Sequence, residues 1–182
     1  GDVTSQGSLD VFVTSFSSAG VHRWQKAFHG ASYDSTGGLT VDSSANVIMA
    51  RNLDGNTLVT SFTAEGVQRW EETLLDARAY AVVVDARGNI TLTGSFVWTT
   101  DLGGGDVTSA GSSDVFITSF TAGWVHRWQE IWGGSSVDIG RSIVADGDNI
   151  YCTGSFQRMI TLGKESVLAV GLQDIFLVKF GP

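Results

Sequence analysis

One seven-residue pattern, a polar residue followed by an alternating run that closes on Phe, occurs four times. The copies are DVFVTSF at 10–16, NTLVTSF at 56–62, DVFITSF at 114–120 and DIFLVKF at 174–180. A chain that repeats itself must fold as an array of like units, each too small to bury its apolar face alone. Eight residues beyond Phe16, Phe62 and Phe120 stand Trp24, Trp70 and Trp128, within VHRWQ, VQRWE and VHRWQ. No such Trp follows Phe180.

Between these runs lie LTVDSSANVIMA, VVVDARGNITLTGSF and IVADGDNIYCTGSF. Each is an apolar segment ending in Asp, a short polar turn, an Asn and a second apolar segment. Asp42, Asp85 and Asp146 align, as do Asn46, Asn89 and Asn149. Period-two alternation, D-x-x-G-N turns and the absence of any helical period predict antiparallel hairpins. Twenty-three Gly, a single Pro and sixteen Phe and Trp fit the same all-β reading.

One unit therefore holds four strands, the signature of a β-propeller blade. Residues 1–182 read as one β-propeller segment: the end of a first blade at 1–29, a second at 37–74, a third at 79–132 and most of a fourth at 140–180. About thirteen strands, or three and a quarter blades, make an incomplete ring unless other chains or further sequence complete it. GDVTSQGSLD at the start matches GDVTSAGSSD at 105–114, and the chain opens on Gly1 rather than Met, so a processed or excerpted segment is expected. Two longer connections, 97–113 and 157–173, separate the second and third strands of the last two units. The first, with LGGGDVTSAGSS, reads as a flexible loop.

The succession Gly111, Asp114, Phe116, Gly123 and Trp128, then Gly154, Ser155 and Phe156, resembles the SBBP-type bacterial β-propeller repeats. So does Val84, Asp85, Gly88, Asn89, Thr93 and Gly94, followed by TTDLGGG at 99–105. Units of that family read roughly G-x-D-x-F-V, G-x-x-x-W and V-D-x-x-G-N-x-x-x-T-G-S-F. The resemblance implies a large secreted or surface-associated bacterial protein, and it carries no catalytic motif to transfer. Met49–Asn52, MARN, departs from the TGSF of the other units, and Leu58 replaces the usual Phe. That unit is expected to pack or turn differently. A more distant likeness to quinoprotein propellers rests only on Gly followed by Trp a few residues on, with no matching Glu, Asn and Asp cluster.

Function classes narrow accordingly. A net charge of −8 with scattered acids disfavours nucleic acid and anionic membranes as partners. No apolar run reaches the roughly 20 residues of a membrane helix. A single Cys152 excludes an internal disulfide and any multi-cysteine zinc site. His22 and His126 share a repeat position, so an array displaces them from each other, and a packing role is expected instead of metal binding. Strand alternation puts His22 and Trp24 on one face, with Val21, Arg23 and Gln25 on the other. DGDN at 146–149 lacks the spacing of a calcium loop and reads as a turn. No G-x-S-x-G elbow or phosphate-binding Gly loop is present. Asn89-Ile90-Thr91 matches a glycosylation acceptor, but its turn position explains it better.

The reading is thus a noncatalytic scaffold, binding or assembly module, extracellular or at the bacterial cell surface, with no cofactor. Its expected partners are copies of itself or further blades, with a surface glycan or protein as ligand for the longer connections. Trp98, Asp101, Arg158 and Met159 are the binding candidates there. Trp24, Trp70, Trp128, the four closing Phe and the Asp and Asn turn residues are structural. The alternatives are a lectin-like propeller and a quinone-dependent or carbohydrate-active enzyme.

Overall fold

A computed structural model describes residues 4, 9–29 and 33–181. The GDVTSQGSLD copy falls outside the described residues apart from Thr4, Leu9 and Asp10. Among the described residues there are seventeen strands and no helix. Thirteen form four antiparallel sheets in chain order. Sheet I pairs β1 (Val11–Phe16) with β2 (His22–Phe28). Sheet II runs β3 (Ser35–Val41), β4 (Val47–Leu53), β5 (Asn56–Phe62), β6 (Gln68–Leu74).

The two inserted connections contain strands of their own. They form hairpins of β9 (Thr99–Asp101) with β10 (Asp106–Thr108), and of β15 (Met159–Leu162) with β16 (Glu165–Leu168). Sheet III is then β7 (Ala77–Val84), β8 (Ile90–Phe96), β11 (Asp114–Phe120), β12 (His126–Trp132). Sheet IV is β13 (Ile139–Asp146), β14 (Asn149–Phe156), β17 (Asp174–Phe180). The Gly-rich stretch is tied down by its own side chains. Asp101 accepts the Gly103 and Gly105 amides at 2.8 and 2.9 Å, and Leu102 is fully buried while its carbonyl takes the Thr118 hydroxyl at 2.8 Å.

The sheets stack face to face, with β7 packed between β3 and β13. Strand alternation makes this possible, because a strand covered on both sides divides its side chains between two cores. On β11, Phe116 and Phe120 enter the core shared with sheet II, whereas Val115 and Ile117 enter the core shared with sheet IV. A third core, of Val11, Val13, Met49 and Phe62, joins sheets I and II.

Each first pair of strands carries a bulge at one place, between Thr36 and Gly38, Ala79 and Ala81, or Gly140 and Ser142. Each outer pair carries another, at Ser15/Phe16, Ser61/Phe62 and Ser119/Phe120. The outer bulge corrects simple alternation in VHRWQ. Trp24 faces sheet II, 6.2 Å from the Phe62 ring, whereas His22 stands edge-on to Phe16 on the opposite face. An extra residue re-aims everything on one side of a bulge.

MARN keeps the sheet II register but changes its packing. Arg51 occupies the place of Gly94 and Gly154, opposite Leu58, whereas those glycines lie opposite Phe116 and Phe176. A Cβ at Gly154 would come within 2.6 Å of the Phe176 ring. The smaller Leu58 leaves room for Arg51, which lies 4.7 Å from the Phe28 ring centre and pairs with Glu71 at 3.4 Å. Asn52 reaches sheet III, donating to the Ala79 carbonyl at 2.9 Å.

Candidate functional site: the sheet junctions and their uncovered end

The aromatic residues picked out by the repeat meet at the junctions. After each closing Phe of sheets I, II and III comes a five-residue turn, Ser17–Val21, Thr63–Val67 and Thr121–Val125. All three share one bonding scheme. The first amide donates to the last carbonyl at 2.8 Å, and the fourth amide donates back to the first carbonyl at 2.9 Å. The Ser17, Thr63 or Thr121 hydroxyl accepts the last amide at 3.1 to 3.3 Å. Ser and Thr are suited to this local capping.

These turns seal the preceding sheet's Trp. Trp24 donates its indole N–H to the Ala64 carbonyl at 2.8 Å. Gly66, at φ +81°, lies so close that a Cβ would sit 2.5 Å from the indole. Trp70 is closed over by Trp124 at 5.5 Å, itself stacked on Phe120 at 4.0 Å. Only about 30 Å³ remains beside Trp70, bounded by Asp42, Arg69, Gly88 and Ala122.

At Trp128 the arrangement differs. Its ring meets Phe180 at 5.2 Å, and Trp132 stacks on Phe180 at 5.5 Å. Above it opens a cleft of about 320 Å³, walled by Asp85, Arg87, Arg127, Asp148 and Ile150. Arg87 is held by Asp148 across this cleft. Among the described residues, no turn covers Trp128 and no strand pairs with the outer side of β17.

The Asp and Asn residues of the repeat make turns. Asp42 accepts the Ser44 and Asn46 amides, both at 2.9 Å, and the Asn46 side chain at 2.8 Å. Burial pushes this carboxyl up, but those bonds and Arg69 outweigh it and hold it below its usual range. Asp85 repeats the scheme with Arg87 and Asn89. Asp146 is different: it pairs directly with Asn149 across a tighter turn, and its backbone carbonyl accepts the Asn149 side chain at 3.2 Å. Thr91 is buried within β8. The histidines are not brought together: His22 is exposed, whereas His126 is edge-on to Phe120 with its Nε2 buried and unpaired.

Trp98 and Arg158 occupy the same place, the residue that opens each inserted hairpin, and both have φ +60°. Their carbonyls accept Ser109 and Ala169 amides at 2.8 and 2.6 Å. Trp98 is 77% exposed and lines a cleft of about 310 Å³ with Asp54, Asp76 and Arg78. Met159 is exposed, whereas Asp101 is committed to its own turn.

Repeat spacing gave no hint of a buried carboxylate pair. Asp114 and Asp138 are 2% and 0% exposed. Burial pushes both carboxyls up, against the Ala110 amide on Asp114 and the Gln157 and Gly134 amides on Asp138. Asp34 is likewise buried and raised, with neither carboxylate oxygen hydrogen-bonded among the described residues. The parallel bridges Leu9–Tyr33 and Ser113–Val137 show the Asp34 and Asp138 segments entering alike. Among the described residues, no three His, Cys, Asp or Glu side chains are grouped to hold a metal ion.

No protein-family model matches the chain, and no curated protein sequence does. Among solved structures, it is similar to a protein of unknown function from Bacteroides caccae, at 7% identity and a TM-score of 0.48. That match covers 85% of this chain and 53% of the other, so the chain spans about half the length of that structure.

Proposed function

We propose that this chain is a noncatalytic β-propeller segment of the SBBP type, serving as a scaffold and assembly module of a bacterial extracellular or surface protein. The observation that carries the reading is the pair of apolar faces at the two ends of the stack that the described residues leave open. Phe12 and Phe16 are 57% and 54% exposed on sheet I, whereas Phe116 and Phe120, at the same repeat positions, are 0% and 2% exposed. On sheet IV, Ile175 and Leu177 are largely exposed where Val115 and Ile117 are buried. Contiguous apolar surface of this kind marks an interaction site, and its match to the internal junctions favours further sheets of the same type as its cover.

Sedimentation equilibrium over a wide concentration range tests this. Association is expected, weakened by Leu177→Asp and by Phe12→Asp. A protein that stays monomeric throughout and is indifferent to both changes contradicts the assembly reading.

A second reading, a glycan-binding face, is favoured by the Trp98 cleft. An exposed indole offers a stacking platform for a sugar ring, and Asp54, Asp76 and Arg78 supply groups that bond hydroxyls. Quenching of Trp fluorescence by sugars, lost in Trp98→Ala, would support it.

A further inference from the structure

We propose that the cleft between the Asp54–Gly55 turn and Trp98 binds a glycan unit that carries a protonated amine. The indole stacks on the sugar ring, Asp54 and Asp76 hold the ammonium, and Arg78 donates to the ring's hydroxyls. The inference rests on the glycan-binding reading and deepens it by naming the class of sugar.

The cleft lies between sheets II and III, both four-stranded, and a short connection opens it. Where sheet I meets sheet II, and sheet III meets sheet IV, the segments entering the two sheets are tied together. The Asp34 amide donates to the Leu9 carbonyl at 3.1 Å and the Asp138 amide to the Ser113 carbonyl at 2.9 Å, each beside a parallel bridge. The strand registers make Gly55 and Asp76 the matching pair between sheets II and III. Among the described residues no bridge joins them. β4 passes to β5 through Asp54 and Gly55 alone, so no inserted hairpin of sheet II closes this end of the junction. A space of about 310 Å³ is left, with Ser95 and Phe96 of β8 in its wall.

The side chains around this space are not those that packing requires. Trp98 is 77% exposed and has φ +60°, a backbone conformation that bulky residues rarely adopt. Arg158, exposed at the equivalent position, shows that the fold does not call for an aromatic residue there. Asp54, Asp76 and Arg78 are exposed in the wall, and among the described residues their side chains make no ion pair or hydrogen bond. Two carboxylates against one guanidinium leave the cleft net negative, which favours an occupant with a positive group. An indole face attracts a cation and also offers an apolar platform to a sugar's C–H face. A concave wall that is part apolar, with a few convergent polar groups, suits a small ring bearing hydroxyls and an ammonium.

The test titrates the whole chain with trisaccharides that share one linkage: glucosamine, its N-acetylated form and glucose. Trp fluorescence should report binding of each, with the glucosamine trimer roughly tenfold tighter than the other two. Asp54→Asn combined with Asp76→Asn should cut that preference to about twofold or less. Asn accepts the left-handed conformation that these residues hold at φ +53° and +48°, so the fold is kept. Trp98→Gly should abolish the response without lowering Tm, because Gly suits φ +60°. Glu65→Gln combined with Glu165→Gln removes exposed acids elsewhere and should change nothing. Equal binding of the trimers overturns the amine preference while the glycan reading stands; no binding of any of them overturns both. The proposal also falls if a lysine trimer binds more tightly than the glucosamine trimer, if the Asn pair keeps the preference, or if the Gln pair loses it.

Discussion

Replacing Phe116 by Ala should destabilise the protein heavily, whereas the same replacement at Phe12, its repeat counterpart, should cost almost nothing. Phe116 is fully buried between sheets II and III, in one core with Ala50, Val59, Leu92 and Phe96. Its ring lies opposite Gly94, and both residues are held in the β8–β11 ladder. The hole left by truncation is lined by backbone that hydrogen bonds fix in place, so it collapses poorly. Phe→Ala in such a site costs about 3–5 kcal/mol. For a chain of this size each kcal/mol lowers Tm by roughly 2–4 °C, so a fall of roughly 6–20 °C is expected. Phe12 is more than half exposed, and its loss should stay within about 0.5 kcal/mol under dilute conditions. Calorimetry and urea unfolding followed by Trp fluorescence measure both variants. Equal losses at the two positions, or a loss below about 1 kcal/mol at Phe116, would refute the packing scheme.

Three further outcomes follow from buried polar groups. Because burial raises the Asp114 carboxyl in the folded state, its charge opposes folding at neutral pH, and stability should recover as pH falls through the raised value. Asp114→Asn should therefore raise Tm at pH 7, with the gain fading towards the ordinary carboxylate range; a loss at pH 7 would contradict this. The Thr57 hydroxyl accepts the Ala79 amide and lies 2.8 Å from both Asn52 and the Ala77 carbonyl, joining sheets II and III. Thr57→Val should cost about 1–3 kcal/mol in urea unfolding, because it strands those groups. Burial pushes the Cys152 thiol up to about 11. It should resist alkylation at pH 8 until urea unfolds the chain, and rapid labelling of the native protein would contradict its placement.

Strand chemistry was legible where side-chain period and turn residues agreed. The repeated strand alternates, and its β11 copy, DVFITSF, does divide its residues between two cores. The Asp-to-Asn turns at 42–46 and 85–89 were legible too, because Asp side chains there bond the turn's own amides. Three features were not. LGGGDVTSAGSS has loop composition, yet Leu102 and Asp101 fold it into a hairpin, and nothing local reveals that a Leu carbonyl will meet Thr118. The bulge beside Phe16 separates His22 from Trp24, and a bulge depends on the pairing strand, which period counting ignores. The buried Asp114 opens β11 and Asp138 lies just before β13, so their charges meet only once sheets III and IV stack. Trp98, Asp101, Arg158 and Met159 all lie in the two inserted connections, but of these only Trp98 and Arg158 share an equivalent backbone position.

The most direct test of the central claim is a cryo-electron microscopy reconstruction of the assembled particle. The account predicts further four-stranded sheets against Phe12 and Phe16 on one side and against Ile175 and Leu177 on the other. It also predicts a strand along the outer edge of β17, and β3, β7 and β13 turned towards a common axis. A particle in which both faces remain bare to solvent, or in which a different kind of element covers them, would contradict it.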